Sequence, residues 1–132
     1  LEWMHDMVAV CPKRRGHEAR RVDHQSPAIS CRNPRTTVEM RECAADRLKK
    51  AEEELDQVLS ALTSKSMDDA CRRALSASQD AWRKYRDSET DLEGGFYEGG
   101  TIQRQIKLEC MTRMTKDRTR ELRKLLNDES DR

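Results

Sequence analysis

The sequence has little from which to build either a sheet or an active site. Aromatics are only 4% of 132 residues: Trp3, Trp82, Tyr85, Phe96 and Tyr97. Runs of β-branched and aromatic residues, on which strands depend, are scarce. His5, His17 and His24 are the three histidines, and all lie near the start. The rest of the chain therefore lacks the side chain best suited to proton transfer near neutral pH. No Ser–His–Asp or Cys–His pairing and no glycine-rich phosphate loop stands in a context that gives it chemistry. No apolar run approaches the roughly 20 residues needed to cross a bilayer. An excess of one charge is missing too. With 26 Lys/Arg against 25 Asp/Glu the net charge is +1, which removes the electrostatic case for nucleic acid. These absences argue against an enzyme, a nucleic-acid binder and a membrane span. No catalytic residue, metal site or cofactor is expected.

What is abundant is charge, at 39% of residues, set among Ala and Leu in a pattern that favours helices with narrow apolar stripes. Residues 1–30 lack sustained periodicity and are broken by Pro12, Gly16 and Pro27. They read as an irregular basic tail with at most a helical turn around Trp3–Val10. Thr36 to Glu39 forms a capping box behind Pro34. Val38, Cys43, Leu48, Ala51, Leu55, Val58, Leu59 and Leu62 then recur at helical spacing. The first helix is predicted over 36–63. Ser66 is the expected cap of a second, over 67–91, with Met67, Cys71, Leu75, Ser78, Trp82 and Tyr85 on its buried side. Gly94-Gly95 and Gly99-Gly100 mark a loop around Phe96-Tyr97. Thr101 is the expected cap of a third helix, over 101–127, striped by Ile102, Ile106, Cys110, Met114, Leu122 and Leu125. The expected fold is all-α: three long antiparallel helices in a 31–127 domain, with residues 128–132 frayed.

The arrangement of certain residues resembles the LprI-like lysozyme-inhibitor family over roughly 31–126. Cys31, Thr37-Val38-Glu39-Met40 and Cys43 look like its opening. Gln79, Ala81, Trp82, Tyr85, Arg86 and Asp87 match its Gln-x-Ala-Trp-x-x-Tyr-Arg-Asp segment, the most specific part. Gly99-Gly100-Thr101 resembles its Gly-Gly-Ser turn. Cys110, Thr115, Arg118 and Leu122 match its closing residues. The chain departs where the family commonly has a cysteine, at Thr90, and carries Asp56 and Leu59 where Asn and Tyr are usual. The resemblance implies a periplasmic or secreted helical protein whose signal peptide is absent from the sequence, with a lysozyme or related muramidase as its partner.

Five cysteines in 132 residues fit an oxidising compartment. A Cys31–Cys43 disulfide would pin the tail to the first turns of the first helix. Cys110 paired with Cys31 or Cys11 is the alternative, since spacing does not decide connectivity. Cys71 reads as a small core residue or a free thiol, out of reach of Cys110 if the helices are antiparallel. Cys11, His17, His24 and Cys31 lack the spacing of a closed zinc site. Glu52-Glu53-Glu54 beside Lys49-Lys50 reads as a solvated face. Trp82 is expected in the core, with Arg86 and Asp87 tying the second helix to the third. Phe96, Tyr97, Gly99 and Gly100 are the expected contacts with a protein partner, because a loop on a rigid scaffold can present an aromatic to a cleft. The rival expectation is a helical assembly or immunity-type protein, self-associating and without a lysozyme connection.

Overall fold

The computed structural model describes residues 31–64 and 67–127. Three helices account for most of them: α1 (Thr37–Ser64), α2 (Asp69–Gly95) and α3 (Gln103–Asn127). No strand occurs among the described residues. The tail with Cys11, His17 and His24, the expected cap Ser66 and residues 128–132 lie outside them.

Helices α1 and α2 each start where a side chain can satisfy an orphan amide. The Thr36 hydroxyl accepts from the Glu39 N–H at 3.0 Å. The Glu39 carboxylate reaches back to the Arg35 N–H at 2.8 Å. The capping box thus closes one residue earlier than its usual reciprocal form. The cap of α2 is Asp68 rather than Ser66, its carboxylate accepting from the Cys71 N–H at 2.7 Å. An ionised cap at the positive end of the helix is the stronger one.

The end of α2 differs from expectation. Gly94 and Gly95, read as loop, are its last helical residues. Gly94 is buried, and a Cβ there would lie 2.5 Å from Lys107 Cε and 2.7 Å from its Cγ. The missing side chain lets the stem of Lys107 lie across the last turn of α2. Packing against α3 thereby holds the helix one turn past the point where local preference would end it. Helix α3 in turn begins at Gln103 instead of Thr101, with the Ile102 carbonyl accepting from the Ile106 N–H at 3.0 Å.

Successive helices run antiparallel, so α1 and α3 are parallel. Helix α3 packs against both others, while α1 and α2 scarcely meet. The main core sits at the end where α1 and α3 finish: Leu55, Val58 and Leu62 of α1 close on Leu122 and Leu126 of α3. Leu59, Met67, Leu75 and Trp82 pack against its edge. Each such leucine contributes about 1.5–3 kcal/mol by leaving water. Toward the other end the contact between α1 and α3 narrows to small side chains, with Cys43, Ala44 and Ala51 buried.

Candidate functional site: a polar seam and an apolar end

The side chains that join α2 to α3 are largely polar. Arg118 of α3 donates from Nε to Gln79 Oε1 at 3.1 Å and from a terminal nitrogen to Ser78 Oγ at 2.9 Å. Burial pulls its guanidinium below the ordinary arginine value, opposed by the carboxylate of Glu121. One turn on, Arg86 lies over the Trp82 ring, 5.1 Å from its centroid. It also donates to Thr115 Oγ1 at 3.5 Å and pairs with Asp87 at 3.4 Å. Trp82 is half-buried against the core, and Asp87 points outward without reaching α3. Gln79, Trp82, Arg86 and Arg118 are thus engaged between helices, and Glu39 is engaged as a cap. Replacing Arg118 by Lys removes the fork that serves Gln79 and Ser78 together. We expect a loss of about 1–2 kcal/mol in urea unfolding, with the helix content unchanged.

Tyr85, placed on the buried side by its spacing from Trp82, is instead 58% exposed. The face of α2 that meets α3 is centred on Gln79, Arg86, Thr90 and Gly94. Trp82 is at the margin of this face, so a step of three residues further carries Tyr85 off it.

Beyond Arg86, Thr90 of α2 faces Cys110 of α3, its hydroxyl donating to Sγ at 3.6 Å. Cys110 is a free, buried cysteine. Arg113 donates to the same sulfur at 3.6 Å and to the Glu93 carboxylate at 2.8 Å. Burial pushes the Cys110 thiol up, reinforced by Glu93. Contact with the Cys110 thiol and with Arg113 holds Glu93 below the usual carboxylate range. Because the thiolate is the nucleophile, Cys110 should resist iodoacetamide in the folded protein at pH 8. It should react fully in guanidinium, as peptide mapping would record.

Three of the described cysteines are bonded. Cys31 and Cys43 form a disulfide with Cα atoms 5.6 Å apart, tying the residues before α1 to its second turn. Cys71 is buried at the start of α2, as a core residue would be, but it is disulfide-bonded and not a free thiol.

The start of α1, the end of α2 and the start of α3 lie at one end of the bundle. Among the described residues, most of the large apolar side chains left in solvent gather there: Val38, Met40, Leu92, Phe96, Tyr97 and Ile102. Phe96 is 81% exposed and Tyr97 45%. The turn that carries them is closed by backbone hydrogen bonds. Tyr97 N–H donates to Gly94 O at 3.0 Å, Glu98 N–H to Gly95 O at 3.3 Å, and Gly100 N–H to Tyr97 O at 3.0 Å. The Gln103 side chain ties α3 back to the Gly94 carbonyl at 3.2 Å. Gly99 has φ +78°, the left-handed region that a Cβ disfavours. Gly99→Ala should lower stability by about 1 kcal/mol, measured as a shift in the thermal midpoint.

Among the described residues no group of three or more His, Cys, Asp or Glu could hold a metal ion. No helix there is long and apolar enough to cross a membrane. What the bundle offers is a braced helical frame with exposed apolar side chains at one end.

Comparison with known proteins adds a family and a relative. The family model described as "Lysozyme inhibitor LprI" matches residues 31–122, a span from the first cysteine of the disulfide to the core leucine of α3. The chain is also similar to "Uncharacterized protein R02472" of Rhizobium meliloti (strain 1021). The two are 29% identical over 114 residues, covering 77% of this chain and 82% of the relative. No solved structure matches.

Proposed function

We propose that this chain, which belongs to the LprI lysozyme-inhibitor family, is a non-enzymatic binding protein that blocks a lysozyme or related muramidase with its apolar end. It works in the periplasm or outside the cell, where the Cys31–Cys43 bond persists. The observation that carries this reading is Phe96, an aromatic ring 81% exposed on a hydrogen-bonded turn. Burying such a ring in a partner's cleft is a large hydrophobic gain obtained at little cost in ordering. Tyr97, Leu92 and Ile102 surround it as the rim of the contact. Gly99 and Gly100 serve by shaping the turn. The residues of the α2–α3 seam support the contact by fixing the angle between the two helices.

The test is to mix the purified protein with c-type, g-type and bacterial lysozymes and follow lysis of cell-wall suspensions. We expect inhibition of at least one class. Absence of both inhibition and binding at micromolar protein rules the reading out.

A second reading rests on the same exposed end. Val38, Met40, Leu92 and Ile102 extend the apolar surface beyond what one inserted ring needs. Such a surface also suits a helical assembly protein that pairs with its own kind. Size exclusion at micromolar concentration, with and without reductant, separates the two readings, since the inhibitor is expected to run as a monomer.

A further inference from the structure

The seam between α2 and α3 holds more hydrogen-bond donors than acceptors. Gln79 is buried, and its Oε1 accepts from Arg118 Nε. The amide must therefore turn its Nε2 away from that nitrogen. Among the described residues the buried Nε2 finds no acceptor. An unmet buried donor costs free energy, and the cause here is competition. Arg118 takes Gln79 Oε1 and Ser78 Oγ, while Arg86 takes Thr115 Oγ1.

The two guanidiniums also lack a matching counter-charge. The Arg118 side chain is 12% exposed and that of Arg86 17%, whereas their partners Glu121 and Asp87 are 67% and 62% exposed. Glu121 stands 4.0 Å from Arg118 Nη1, too far for a hydrogen bond. Asp87 meets Arg86 through Nε alone, at 3.4 Å. Two cations that have left water are thus faced by two anions that have not, and anions so exposed compensate little. Arg118 Nη1 and Arg86 Nη2 enter no hydrogen bond among the described residues. Thr115, which receives Arg86, is one turn from Arg118 on α3, about 4.5 Å along its axis. The two remaining edges therefore lie at neighbouring levels of one seam.

We propose that Arg86 and Arg118 together bind a small carboxylate monoanion at the edge of the α2–α3 seam, through Arg118 Nη1 and Arg86 Nη2. A carboxylate offers two acceptor oxygens at the spacing that guanidinium edges recognise. A phosphate dianion fits less well, because its second charge would stand beside Asp87 and Glu121. The anion does not touch Gln79, whose Nε2 is enclosed; it answers the unmet charge of the guanidiniums. The site requires nothing of the apolar end and holds whether or not that end meets a lysozyme.

The test is a titration of the full chain with sodium acetate at pH 7, with ionic strength held constant by sodium chloride. The Nε–H resonances of Arg86 and Arg118 are followed by NMR. Both should shift along one saturating curve. Arg118→Lys, which keeps the charge and loses the fork, should weaken binding about tenfold. Arg86→Gln should abolish saturation in the Arg118 resonance, with circular dichroism checking that the helices are kept. If they are not, Arg86→Lys takes its place, with about tenfold weakening expected. A linear response to acetate no larger than that to chloride is screening alone and overturns the proposal. Saturation unchanged in the variants places the anion elsewhere and overturns it too. Tighter binding of inorganic phosphate than of acetate overturns the assignment to a carboxylate.

Discussion

Phe96→Ala should weaken inhibition of the susceptible lysozyme about 30-fold, equivalent to about 2 kcal/mol, and leave the thermal midpoint within a degree or two of the parent. The expected size is that of a central aromatic anchor truncated at an interface. The small effect on stability follows from its 81% exposure, since the ring contributes almost nothing to the core it stands outside. Tyr97→Ala, at 45% exposure, should lose less affinity and more stability. Titration of each variant against the enzyme, beside its melting curve, separates loss of contact from loss of fold. If Phe96→Ala inhibits as well as the parent, the tip is not the inhibitory surface, and Val38 and Met40 on the α1 side become the next positions to truncate.

Converting both Cys31 and Cys43 to Ser should lower unfolding stability by about 3 kcal/mol, the magnitude of a bridge closing a loop of this size. For a chain with so lean a core this is a large fraction of the total. The second consequence is local. The bond lies at the end that displays Val38, Met40 and Phe96, so its loss should fray the first turns of α1 before the core between Leu55 and Leu126 is disturbed. Hydrogen exchange should show amides 38–43 losing protection, with those of 55–62 changed far less. Equal loss in both segments would mean that the bridge stabilises the bundle as a whole rather than the end of α1.

The helices were legible because each carries a strong stripe at helical spacing and a polar start. Their precise ends were not, since these are set by contacts between elements. Gly94 ends in helix because Lys107 crosses it, and no local pattern carries that information. The α3 face was misjudged for a different reason. Thr112, Thr115 and Thr119 are buried there, while Leu125, placed on the stripe, is half-exposed and Leu126 takes the core position. Counting threonine as polar hides the true row, Thr112-Thr115-Thr119-Leu122-Leu126, which steps by three and four throughout. Two of these hydroxyls are satisfied within the helix: Thr112 donates to Leu108 O and Thr119 to Thr115 O, each at 2.9 Å. A threonine so paired enters a core at low cost. The same narrow view of the core placed Tyr85 inside.

Of the site, the glycine pairs announced a turn carrying two aromatics. The brace beneath it was legible only by resemblance, since nothing in the order of residues says that Arg118 will reach Gln79 and Ser78 across two helices. Val38, Met40, Leu92 and Ile102 were missed as exposed residues of the same end. Two of them had been counted toward buried stripes, and only the antiparallel course of the helices gathers them at one end.

The central position of α3 bears on how the protein comes to be made. The helix that the other two lean on is made after both of them, and its predecessors have little to hold on to until it arrives. The three-helix unit should therefore acquire its fold only once α3 has been made. A stop codon anywhere before position 103 would leave two unsupported rods open to proteolysis rather than a smaller working protein.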